Sequence, residues 1–132
     1  MRMMLGLVLA ASLGGGVAVA QTAPVAKTIA DEAVSGDANK HAVTNVIDWP
    51  LGATTGRHSH PGDEYAVVIE GAVRVITDGQ GEKTYTAGEA YHNARGLVHK
   101  TRTVGGVPAK IVAVFIVDKT APVTQPAPAP AR

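Results

Sequence analysis

Three side chains within seven residues, His58, His60 and Glu64, have the types and the spacing to hold a metal ion. Residues two apart on an extended backbone point to the same face, so the two imidazoles can converge on one point. Pro61 and Gly62 signal a turn, after which Glu64 can return to that point from the start of the next strand. The set offers two nitrogens and one oxygen, and a further histidine from a distant strand would complete a four-ligand site for a divalent transition metal. The chain has no cysteine, which removes thiol nucleophiles, disulfide scaffolds and sulfur-ligated metal clusters together. The competing reading makes His58 and His60 solvated loop residues and Glu64 a surface charge.

The elements that must position these groups belong to one small domain. The chain has 132 residues, 45% hydrophobic and 17% charged, enough for a single core. A formal net charge of +1 without a Lys/Arg block, and 4% aromatic content, leave neither an electrostatic footprint nor a stacking platform for nucleic acid. Residues 1–20 read as a signal peptide: Arg2, an apolar run from Met3 to Leu13, three glycines, and Ala18, Val19, Ala20 before Gln21. Cleavage after Ala20 predicts a periplasmic or secreted protein with no membrane attachment and a formally neutral body. The alternative is an uncleaved anchor, since Met3 to Ala20 carries no charge. Residues 119–132 hold four prolines among alanines and predict a Pro/Ala-rich tail, disordered or lying as an arm on the surface.

Between these ends, short Val, Ile and Thr runs alternate with glycine turns, and no helical period appears. The expected strands are Val43 to Trp49, Ala66 to Glu70, Ala72 to Thr77, Lys83 to Thr86, Ala90 to Asn93, Val98 to Thr103 and Ala109 to Val117, with hairpin turns at Asp78 to Gly81 and Gly105 to Pro108. Residues 21–41 form an N-terminal segment in which Ala23 to Asp37 adds a strand. The predicted class is all-β, an antiparallel sandwich or barrel over residues 42–118.

Gly52, His58, His60, Glu64 and Gly71 match every fixed position of the pattern G(X)5HXH(X)3,4E(X)6G, the first motif of the cupin superfamily. Gly88, Gly96 and His99 are similar to the second motif, G(X)5PXG(X)2H(X)3N, with Ala94 in place of its proline and Thr103 in place of its asparagine. Neither replaced residue is a metal ligand in that family, so the departures bear on turn rigidity. The resemblance spans about Val43 to Val117. It implies a single-domain double-stranded β-helix, the jelly-roll cupin barrel, with His58, His60, Glu64 and His99 pointing inward around one divalent transition metal. Ligand chemistry admits Fe, Mn, Ni, Co, Zn or Cu. Four protein ligands leave about two positions open on an octahedral ion.

Open positions can bind water, dioxygen or a chelating substrate; the leading reading is dioxygenase-like oxidation of a small organic molecule, with a non-catalytic small-ligand binding module and a Lewis-acid isomerase or lyase as the alternatives. The resemblance also implies a homodimer that pairs sheet edges or exchanges N-terminal strands. Around the site, His92 could shuttle protons or sit half-exposed on its strand, and His41 has no expected role. Alternation turns Tyr65, Arg57 and Arg102 away from the metal. Arg74 could clamp a carboxylate if it faces inward, while Tyr85 and Tyr91 have no assigned direction. A lining drawn from Val, Ile and Ala predicts a small apolar pocket.

Overall fold

The computed structural model describes residues 22–130, so the expected signal peptide, residues 1–20, lies outside the described residues. Ten strands follow in order: β1 (Val25–Val34), β2 (Asp37–Trp49), β3 (His58–Ser59), β4 (Gly62–Glu70), β5 (Ala72–Thr77), β6 (Gly81–Thr86), β7 (Ala90–Asn93), β8 (His99–Val104), β9 (Ala109–Asp118) and β10 (Gln125–Pro126). They form two five-stranded antiparallel sheets, β1-β2-β9-β4-β7 and β10-β3-β8-β5-β6, packed face to face as a jelly roll. No helix occurs among the described residues.

Period-two alternation builds the core. In β9, Ala109, Ile111, Ala113, Phe115 and Val117 are buried while the residues between them are partly exposed. Ile111, Val68, Val73 and Val117 are fully buried and join the two sheets. At roughly 25 cal/mol per Å² of apolar area removed from water, this shared interior is the main stabilising term.

All seven expected strands are present, β5 and β7 with the expected bounds. β4 begins at Gly62 instead of Ala66, because pairing along β9 carries Gly62, Asp63 and Glu64 into the sheet despite their low strand preference. β2 starts at Asp37 instead of Val43, since its first half pairs with β1. That N-terminal strand docks on β2 of its own chain, and His41 on β2 meets Asp31 on β1 at 2.7 Å, so the histidine expected to have no role ties the edge strand down. The two-residue strands β3 and β10 escaped the sequence reading, being too short for any periodicity to register.

The glycines that frame the two motifs, Gly52, Gly71, Gly88 and Gly96, all have φ between 70° and 88°, where L side chains are strained. Gly62 has a different constraint: a Cβ there would run into the Ile116 carbonyl and the Val117 Cα of the paired strand. Gly62→Ala is therefore expected to destabilise the barrel by about 1–3 kcal/mol, read as a lower denaturant midpoint at unchanged slope. An unchanged midpoint would show that β4 and β9 are free to separate.

The replaced motif residues keep their turns. Leu97 N–H donates to the Ala94 carbonyl at 3.0 Å, and the Thr103 hydroxyl donates to the Pro50 carbonyl at 2.9 Å. Residues 119–132 are expected as a disordered tail or a surface arm, and the structure describes them up to residue 130. Gln125 and Pro126 pair with Ser59 and His58, which brings this segment to the mouth of the barrel.

Candidate metal centre

His58 and His99 stand opposite each other in the β3–β8 pairing, and His60 follows two residues later on the same face. Their ring centroids are 4.3 Å apart for His58 and His99, 5.0 Å for His58 and His60, and 5.2 Å for His60 and His99. One nitrogen from each lies within 4.8 Å of the others. Glu64 arrives from the facing sheet. On β4 it occupies the inward row shared with Ala66 and Val68, and it is 5% exposed, a carboxylate placed where alternation calls for an apolar side chain. Its register neighbours are Phe115 on β9 and Asn93 on β7.

Hydrogen bonds determine which imidazole nitrogen faces the centre. The Nδ1 atoms of His58, His60 and His99 meet the carbonyls of Gly56, Val123 and Leu97 at 2.9, 2.7 and 3.0 Å. A carbonyl only accepts, so each Nδ1 carries the proton and each Nε2 presents a lone pair inward. His60 Nε2 is buried without a hydrogen-bond partner among the described residues. The Nε2 atoms of His60 and His99 are each 3.4 Å from Glu64 Oε2, which accepts a 2.7 Å hydrogen bond from the Asn93 amide.

Lone pairs turned on a buried carboxylate repel one another unless a cation lies between them. Two ligands sharing one ion at about 2.1 Å stand about 3.0–3.4 Å apart, which these distances match. The three imidazoles therefore fit a divalent metal, and Glu64 stands beside two of them while lying outside the three-histidine cluster. In the metal-free chain burial alone would raise the Glu64 pKa, but hydrogen bonds from the His60 and His99 imidazoles, made when those rings take up a second proton on Nε2 in place of the metal, together with the Asn93 amide, outweigh it and hold the carboxyl well below the usual carboxylate range. Burial lowers the His58 pKa, which favours its neutral, ligating form.

The sign of the acid response follows. Glu64 is lowered from an ordinary value of 4.5 in the folded chain, so its contribution to stability is present above that value and is lost as pH falls below it. In metal-free protein the unfolding temperature is expected to drop below pH 4.5, and Glu64→Gln to flatten that slope; equal slopes would contradict the paired carboxylate.

A cavity of about 390 Å³ opens beside the four groups. Its walls match the expected Val, Ile and Ala lining only in part: Ile47, Ala23 and Ala26 are there, but Trp49, Tyr91 and Phe115 add rings, and Thr55, Thr101 and Asn45 add polar groups. Val43, Val68, Val73, Val75, Val117 and Ile111 instead fill the closed core. Tyr91 alternates with Asn93 on the inward face of β7, and burial drives its pKa well above the ordinary 10. Tyr85 packs against it with centroids 5.1 Å apart.

The other candidates lie elsewhere. Arg74 does not face the cavity; its neighbours Val73 and Val75 take the inward positions, and its guanidinium bonds Thr84 and Glu82 on the outer face. His92 is outward, 2.9 Å from Asp63 and stacked on the exposed Tyr65, so it has no proton path to the centre. Arg102 is exposed, as alternation predicts. Asn93 and the Val123 carbonyl were missed, because a partner brought by strand pairing leaves no mark in local spacing.

A family model described as a cupin domain matches residues 45–115, more than half of the chain. A germin-like protein of Oryza sativa is 39% identical over 74 residues, 52% of this chain and 34% of that protein, so the match spans about a third of its length. Among solved structures, a Klebsiella pneumoniae protein with a double-stranded β-helix domain superposes with a TM-score of 0.64 at 19% identity, over 80% of this chain and 86% of that one. A DMSP lyase from Ruegeria pomeroyi gives 0.63 at 18%, over 76% and 50%. An oxalate decarboxylase variant from Bacillus subtilis gives 0.54 at 21%, over 58% and 22%. At these identities the structures share the fold.

Proposed function

The chain belongs to the cupin-domain family, and from that premise we propose that His58, His60, His99 and Glu64 hold one divalent transition metal that serves dioxygenase-like oxidation of a small organic molecule. The observation that carries this reading is the set of three imidazoles with Nδ1 tied to backbone carbonyls and Nε2 turned inward, one of them without a partner. When bound, a redox-active ion supplies electron transfer and Lewis-acid polarisation at its open positions.

The chain's own residues do the rest. Trp49 and Phe115 exclude water from one side of the cavity and give a small planar or carboxylate-bearing ligand an apolar wall. Asn93 orients Glu64, and the Tyr91 phenol, kept protonated by burial, can donate a hydrogen bond to an anionic ligand. That buried hydrogen-bond donor also supports the second reading, a Lewis-acid lyase or isomerase, a class to which a DMSP lyase of the same fold gives precedent.

The signal-type segment supports export, and the open outer edge of β1, with exposed Val25 and Ile29, supports pairing of two chains into a homodimer. A monomeric mass at micromolar concentration would remove the dimer.

The test is oxygen uptake by metal-free protein reconstituted with Fe, Mn, Co, Ni, Cu or Zn and offered small phenols and carboxylates. Uptake with a redox-active ion, abolished by His99→Ala, is the expected result. Substrate loss without oxygen uptake, equal with Zn, selects the Lewis-acid reading. Tight ligand binding without turnover under every metal makes the protein a binding module and overturns both.

A further inference from the structure

Residues 121–128 run along the mouth of the barrel as a strap, joined to the chain segment that carries two of the histidines. The Val123 carbonyl accepts from His60 Nδ1 at 2.7 Å. Gln125 and Pro126 pair with Ser59 and His58, and the Ala127 N–H donates to the Arg57 carbonyl at 2.9 Å. The Arg57 guanidinium then bonds both the Pro128 carbonyl and the Asp78 carboxylate on the β5–β6 turn, clasping the strap to the opposite side of the sheet. Thr124 and Pro126 form part of the cavity wall. In this way a Pro/Ala-rich chain end supplies a hydrogen-bonding partner to a proposed ligand, one wall of the pocket and a latch.

We propose that this C-terminal strap is a positioning element of the metal centre: it holds His60 in its ligating tautomer and orientation, and the Arg57–Asp78 clasp keeps it closed. Arg57 borders the cavity, against the expectation from alternation, but its guanidinium is engaged by the Pro128 carbonyl and the Asp78 carboxylate, so it acts through the strap. Prolines suit the task because their fixed φ lowers the entropy lost when the strap docks. The β10 pairing is only two residues long, so the clasp and the His60 bond add to the Ala127 hydrogen bond and to the packing of Val123 against the core in holding it. The inference rests on the reading of the site as a metal centre.

Four chains separate the possibilities: wild type, a truncation lacking residues 122–132, Arg57→Ala, and Arg102→Ala as an exposed control that leaves the strap untouched. Loaded with Co(II), each is measured for affinity by chelator competition, for the rate of metal release, and for the visible absorption bands of the bound ion. Loss of an outer hydrogen-bonding partner costs about 10- to 100-fold in affinity. The truncation is expected to lose that much, with shifted bands and faster release. Arg57→Ala is expected to show the same changes in smaller degree, Arg57→Lys to recover part of them, and Arg102→Ala to match wild type. Wild-type affinity, bands and release rate in Arg57→Ala and in the truncation would overturn the proposal; if the truncation does not fold, Arg57→Ala alone decides. Absence of Co(II) binding by wild type would defeat the metal centre itself, a distinguishable outcome.

Discussion

His60→Ala and His99→Ala are each expected to reduce bound metal from one ion per chain to a trace, while His92→Ala retains it in full. Each of the first two removes an inward Nε2 that is one of three converging nitrogens. The loss should exceed the roughly 100-fold that removal of an outer hydrogen-bonding partner costs. His92 is the discriminating control: it is another histidine of the same body, but it faces Asp63 on the outside of β7. Elemental analysis after loading and dialysis checks the outcome. Equal metal in all three variants would place any bound ion somewhere other than the barrel.

Stability should report the same centre. Metal binding to the folded chain alone stabilises it by about 2.7 kcal/mol at a hundredfold excess over Kd, a shift of order 10 °C for a domain of this size. Chelation should reverse that shift. Glu64→Gln is expected to keep the fold, since an amide can still accept from Asn93, yet to lose nearly all of the metal-dependent shift, because no carboxylate remains to balance the cation. The test is paired thermal unfolding with metal and with chelator. An undiminished shift in Glu64→Gln would exclude Glu64 from the ligand set.

Most of the fold and the centre of the site were legible in the chain because they depend on local rules. The motif glycines mark backbone that only glycine adopts easily, and Gly52, Gly71, Gly88 and Gly96 all take it. The His58-x-His60 spacing places two rings on one face, and the structure brings His99 beside them through the β3–β8 pairing. What escaped was set by pairing between distant strands. Arg74 turns outward because Val73 and Val75 claim the core. Asn93 reaches Glu64 through the β4–β7 register, and Trp49 and Phe115 enter the cavity from neighbouring strands of the first sheet. The strap was illegible for a related reason: prolines and alanines carry no pattern that announces a docking partner, and its contacts are mostly backbone.

The most direct measurement is anomalous X-ray diffraction from metal-loaded crystals, recorded on both sides of the absorption edge of the loaded ion. One peak per chain is expected, within bonding distance of Nε2 of His58, His60 and His99 and of the Glu64 carboxylate. A barrel with ordered imidazoles and no peak among them, or with its peak on the outer face near His92 and Asp63, would contradict that placement.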